Sequence, residues 1–217
     1  MNATIGFRSK TGRAIAVVLA GSADAPELVW RGEVSLIDDA YPLTSGPYHH
    51  VMDLPWSEAL IAVKDLETQI QSATDRNVAQ LLEEMQSRKL KIRGIGVVGS
   101  PMRNLEKIGN PHIRAHAAEG ILFRRVLEVS AETHELPCGG FTEDELKNVA
   151  EQIGAKLKEL GRIAGSPWRA DERLAATAAW LALSTPPKRP TAPAPAASPR
   201  TAPRPRAASR PRASRRR

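Results

Sequence analysis

The sequence predicts one α/β domain over residues 1–185 and a disordered basic tail over residues 186–217. Three observations carry this reading. The first 40 residues alternate apolar and polar positions as strands do, and the segments after residue 56 repeat apolar residues every three or four positions as helices do. From Pro186 the composition collapses to proline, alanine, serine and arginine, too poor in apolar side chains to offset the entropy of ordering.

Taken in order, Ala3–Phe7 and Arg13–Ala20 flank the turn-rich joint Arg8-Ser-Lys-Thr-Gly12, the pattern of a hairpin. Leu28–Ile37 keeps Leu28, Trp30, Val34 and Leu36 in alternation, as a third, half-exposed strand would. Asp38–Pro55 reads as a loop rich in proline, glycine and histidine. Trp56–Arg88 is helical in period, through Leu60, Val63, Leu66, Ile70, Val78, Leu81, Leu82 and Met85, with Ser72-Ala-Thr-Asp75 as a candidate break. Ile92–Val98 is a short apolar run closed by Gly99-Ser-Pro101, which suits a buried central strand.

Asn110-Pro111 places a capping residue and a first-turn proline at the head of a helix running to about Glu132. Leu136–Phe141 is a last short strand. Thr142 caps a helix over Glu143–Leu160, and Ser166-Pro167 repeats the cap-and-proline device before Trp168–Leu183.

The net charge of +7 is unevenly distributed. Ten of the 31 lysines and arginines lie from Lys188 onward, with no acid among them, which leaves 21 basic against 24 acidic residues in the body. The positive signal therefore belongs to the tail alone, whereas a folded nucleic-acid binder usually carries it on the fold. Cys138 is the single cysteine, so no intrachain disulfide forms and a cytoplasmic setting is expected. Beside Pro137 in an apolar strand, it reads as a small buried hydrophobe. Met1–Gly12 lacks the apolar run of a signal peptide, and no stretch reaches 18 apolar residues, so no membrane partner is expected.

The element order (three strands, helix, strand, helix, strand, two helices) resembles the ribonuclease H-like fold, in particular its bacterial Holliday-junction resolvase branch. Ile5-Gly6-Phe7-Arg8-Ser9-Lys10-Thr11-Gly12 followed by Ala14-Ile-Ala-Val-Val18 looks like that branch's first hairpin. Ile95-Gly-Val-Val-Gly99 sits where its fourth strand ends, and Arg169-Ala-Asp-Glu-Arg-Leu-Ala-Ala176 resembles its last helix. The resemblance implies a three-layer fold around a mixed five-stranded sheet and an association with nucleic acid. It also implies phosphodiester cleavage by two metal ions about 4 Å apart bridged by carboxylates. Here the chain departs from the family. Arg8 stands where the first strand supplies an aspartate, no acid occurs near Gly99 or Ser100, and only Asp171 and Glu172 match an acidic position. An arginine repels the ions that a bridging carboxylate holds.

Several constellations carry chemistry of their own. His112, His116 and Glu119, at i, i+4 and i+7, share one helical face and could supply three ligands to a divalent metal. The alternative is a pair of hydrogen-bonded histidines lining a cleft. His49 and His50, after Pro47-Tyr48, lie in a loop that either adds a ligand or stays solvated. The helix start Asn110-Pro-His-Ile-Arg114 has free N–H groups and no acid, which suits a phosphate near Arg114 and, if it points there, Arg8. Asp171 and Glu172 sit near a helix N-terminus, where the dipole alone favours acids. Together with His112 and Glu119 they are the candidate acid/base groups. Trp56, Trp168 and Trp180 are spaced as packing residues, and aromatics at 4% give no stacking platform for single strands.

In the tail, Arg200, Arg204, Arg206, Arg210, Arg212, Arg215, Arg216 and Arg217 would bind phosphate backbones without reading sequence, through counterion release. The expectation is therefore a nucleic-acid-associated protein on a resolvase-like scaffold that lacks the standard two-metal centre. Two rivals stand beside it. One is a metal-dependent phosphodiester hydrolase using His112, His116, Glu119 and Asp171; the other is a structural adaptor that binds neither metal nor nucleic acid.

Overall fold

A computed structural model describes residues 1–38 and 40–184. The tail arginines from Arg200 to Arg217 lie outside the described residues. Five strands form one sheet in the order β3-β2-β1-β4-β5. They are β1 (Asn2–Lys10), β2 (Arg13–Gly21), β3 (Pro26–Ser35), β4 (Lys91–Val98) and β5 (Cys138–Phe141). The first three pair antiparallel, and β4 and β5 run parallel to β1. Among the described residues, six helices cover the two faces: α1 (Trp56–Ala62), α2 (Lys64–Ser87), α3 (Pro111–Thr133), α4 (Glu143–Gln152), α5 (Gly154–Ala164) and α6 (Ala170–Ser184).

Alternation along the strands divides the core into two. Ala3, Ile5 and Phe7 of β1 pack on one face against Ile70, Val78, Leu81 and Met85 of α2 and Phe123, Val126 and Leu127 of α3. On the other face, Val17 and Leu19 of β2 meet Leu157 and Leu160 of α5 and the alanine stripe Ala175, Ala176 and Ala179 of α6. That stripe lets α6 lie almost in contact with the strand backbones. A Cβ at Gly6 would fall 1.8 Å from the Ala175 carbonyl oxygen, and one at Gly96 would fall 2.6 Å from that of Ala178. Thr4 adds to this close packing by donating its hydroxyl to the Ala179 carbonyl at 2.7 Å.

The expected elements are found, with β3 and β5 shifted at their ends and four larger differences. The hairpin joint shrinks to Thr11-Gly12, with Gly12 at φ +74°, so Arg8 lies inside β1, paired with Ile15 and Val98. The long helix does not break at Ser72–Asp75. Its polar side chains find partners there: Ser72 bonds the Thr68 carbonyl, Gln71 bonds Asp75, and Thr74 reaches the Leu36 carbonyl. The interruption falls instead at Val63. The helix capped by Thr142 divides at Ile153-Gly154, where glycine has poor helix propensity. Finally, α6 starts at Ala170 and not at Trp168, because the carbonyls of Ser166 and Pro167 accept from Arg31 of β3.

Candidate functional site

The C-terminal ends of β1 and β4 lie side by side, with Arg8 level with Val98. Arg8 projects to the α6 side, the face opposite α3. Its side chain is 12% exposed and engages two carboxylates, Asp171 at 3.4 Å and Glu143. Asp171 opens α6 and Glu143 opens α4, so one guanidinium ties the first turns of two helices to the central strand. Lys10, two residues further along the same face, reaches Asp171 at 3.3 Å. Glu172 turns away and accepts from the Arg169 N–H at 2.9 Å, capping its own helix.

The end of β4 is likewise met by an arginine. Arg124 of α3 donates to the Ser100 carbonyl at 3.1 Å and pairs with Glu128 at 2.8 Å. Gly99 is required there, since a Cβ would lie 2.7 Å from that of Arg124. An arginine thus stands at the end of each of the two central parallel strands, Arg8 within β1 and Arg124 against the end of β4. The acids that meet the end of β1 are Asp171 and Glu143, and both are paired with Arg8.

A second group of side chains gathers on the other face of the sheet. His112 and His116, one turn apart on α3, bring their Nε2 atoms to 3.1 Å. His49 joins them from the loop before α1, with ring centroids 5.1 Å from His112 and 4.3 Å from His116. One ligand atom from each of the three histidines lies within 4.8 Å of the others. Glu119, only 2% exposed, stands behind His49 and not beside it as an equal donor. Its Oε1 accepts from the His49 backbone N–H at 3.2 Å and from Nδ1 at 2.8 Å.

The loop is fixed by its own small core. Tyr48, Val63, Ala115 and Ala118 are buried together, with Trp56 against them. Tyr48 stacks on Trp56 at 5.6 Å and donates its hydroxyl to Glu67 at 2.7 Å. The same indole carries the Arg114 guanidinium at 5.4 Å from a ring centroid. The Asn110 side chain accepts from the Ile113 N–H at 3.0 Å, which satisfies part of the helix start expected to face a phosphate.

The structure therefore brings Arg8 together with Asp171, and His112 together with His116, with Glu119 joined to that pair through His49, but as two groups on opposite faces of the sheet. The participant least evident from sequence spacing is His49. Its signal is the preceding Tyr48, an aromatic that anchors the loop, whereas His50 is exposed and stays outside the cluster.

Strand order, mixed pairing and helices on both faces define a three-layer α/β fold around a mixed five-stranded sheet. No protein-family model matches the chain, and no curated protein matches it. Among solved structures it is similar to Thermus thermophilus RuvC. The complex described as "T. thermophilus RuvC in complex with Holliday junction substrate" matches at a TM-score of 0.49 and 11% identity, over 83% of this chain and 91% of that one. A structure of RuvC from the same organism matches at 0.47 and 10% identity, over 82% and 91%.

Proposed function

We propose that this is a nucleic-acid-associated protein in which a resolvase-like scaffold has exchanged its two-metal centre for an arginine-centred ion-pair network. The observation that carries the reading is Arg8, at the end of β1, bound to both Asp171 and Glu143. Arg8 and Lys10 together balance the charges of Asp171 and Glu143, which removes the net negative charge that a bridged pair of divalent ions needs. The body then serves recognition, and affinity comes from the tail. Arg200, Arg204, Arg206, Arg210, Arg212, Arg215, Arg216 and Arg217 each displace condensed counterions from a phosphate backbone.

Two measurements test this. The full chain is compared with a variant carrying glutamine at those eight arginines, by fluorescence anisotropy on duplex DNA, branched DNA and RNA between about 50 and 200 mM salt. Each phosphate that the variant no longer neutralises should flatten the log–log salt slope by about 0.9 on B-DNA. Equal affinity of the two proteins would remove the tail from the reading. Incubation of the same substrates with magnesium or manganese should give no cleavage. Metal-dependent cleavage abolished by Asp171→Asn would overturn the exchange of the centre.

A further inference from the structure

The histidine cluster stands apart from the Arg8 network, on the other face of the sheet, and the proposed function makes no use of it. Its geometry has a specific chemical meaning. A carboxylate can only accept, so the 2.8 Å contact from His49 to Glu119 places an imidazole proton on Nδ1. In the neutral ring the lone pair is then on Nε2, and that atom is buried with no hydrogen-bond partner. A buried acceptor without a donor is costly, and such an atom calls for an occupant. Facing it are His112 and His116, which offer Nε2 to each other at 3.1 Å. Two ligand nitrogens on one tetrahedral zinc ion are separated by about 3.3 Å, from bond lengths of about 2.0–2.1 Å.

We propose that His49, His112 and His116 form a mononuclear site for a divalent transition metal of the zinc class, with Glu119 orienting His49 from behind. Three imidazoles and no ligating carboxylate select borderline metals and exclude magnesium and calcium, which require oxygen ligands. The Glu119–His49 pair is the arrangement in which a carboxylate behind the ligand fixes the tautomer and raises the basicity of a metal-bound histidine. Glu119 is a positioning residue, held rigidly by its burial and by the His49 backbone N–H. His112 and His116 are exposed, so the fourth position is open to solvent. On that side His116 also lines a hollow of about 250 Å³ with Ser100, Arg103 and Ile113. A site with three protein ligands and one open position has the form of a centre that binds water or an anionic oxygen, not that of a closed structural one.

The test uses the purified full chain, stripped with chelator and titrated calorimetrically with zinc chloride and cobalt chloride. One ion per chain is expected, and the cobalt form should show the intense visible absorption of four-coordinate Co(II). A bare pair of surface histidines at i, i+4 also binds zinc weakly, so the deciding variants lie elsewhere. His49→Ala should weaken zinc at least about tenfold, and Glu119→Gln about 10- to 100-fold. Because Glu119 is buried, circular dichroism must show its variant folded; His49→Ala, in a loop and only partly buried, provides the same test independently. Wild-type zinc affinity in His49→Ala, or no stoichiometric binding by the unaltered chain, would overturn the site. Neither result bears on the Arg8 network, since the two proposals share no residue.

Discussion

Arg8 on β1 and Asp171 on α6 form an ion pair at 3.4 Å, and the other side of the same guanidinium is taken by Glu143 on α4. One side chain therefore links the central strand to two helix starts that are far away in sequence. Acids in those first turns are already favoured by the helix dipoles, and Arg8 adds a partner that is mostly withdrawn from solvent. Arg8→Met keeps the volume of the stem, takes the guanidinium from Glu143 and leaves Asp171 with Lys10 alone. It should cost about 1–3 kcal/mol in urea unfolding, whereas Arg8→Lys, which cannot fork between two acids, should recover only part of that. An unchanged unfolding midpoint in Arg8→Met would mean that the network is solvated and inert.

The approach of α6 to the sheet is closer still, and it predicts the most severe substitution. Gly6→Ala sets a methyl group 1.8 Å from the Ala175 carbonyl oxygen and 2.6 Å from the Ala179 nitrogen. Both are backbone atoms, so no rotamer change relieves the clash and the helix must move. The expected loss is about 3 kcal/mol or more, read as insoluble expression or a collapse of the urea midpoint. Gly154→Ala, where nothing lies within 4 Å, is the matched control and should be neutral or stabilising.

Much of this architecture was legible in the sequence because it rests on period. The alternation of β1 to β3 and the three-to-four spacing of α2 and α3 follow directly from which side chains are buried. Element ends were less legible, since they depend on partners distant in the chain. Thr74 finds the Leu36 carbonyl and so keeps α2 intact, while Arg31 holds Ser166 and Pro167 out of α6. The histidine site shows the same division. His112, His116 and Glu119 are visible as one helical face, but periodicity cannot separate a ligand from the carboxylate behind it. Only the loop supplies His49, and its placement depends on Tyr48 packing against Trp56.

That anchor carries its own prediction. Tyr48→Phe removes the hydroxyl that donates to Glu67 at 2.7 Å while keeping the stacked ring. A loss of about 0.5–1.5 kcal/mol is expected from one such hydrogen bond. Since the loop delivers His49, zinc affinity should fall as well, though by less than in His49→Ala. Titration calorimetry on the folded variant reads the second effect separately from the first. Zinc affinity unchanged in Tyr48→Phe would mean that ring packing alone seats the loop.

Cys138 gives a prediction in pH. Burial pushes its thiol up to about 12, with the nearby Glu128 and Glu132 carboxylates adding to the rise and Arg124 partly opposing it. At about pH 8 the thiolate fraction falls roughly a thousandfold below that of an ordinary cysteine, so a disulfide reagent should label the native chain slowly and the urea-unfolded chain at once. The linkage has a definite sign. Between the ordinary value near 9 and the folded value near 12, the native state holds a proton that the unfolded state has released. Stability from this group is therefore fully present below pH 9 and is lost as pH rises towards 12. Tyr48, raised by burial and by its bond to Glu67, acts in the same direction above pH 10. Cys138→Ala should flatten the first part of the alkaline decline in urea midpoint, and Tyr48→Phe the later part. Fast labelling of native Cys138 at about pH 8, or an alkaline profile unaltered by Cys138→Ala, would show that β5 opens readily and that its thiol is not held in the sheet.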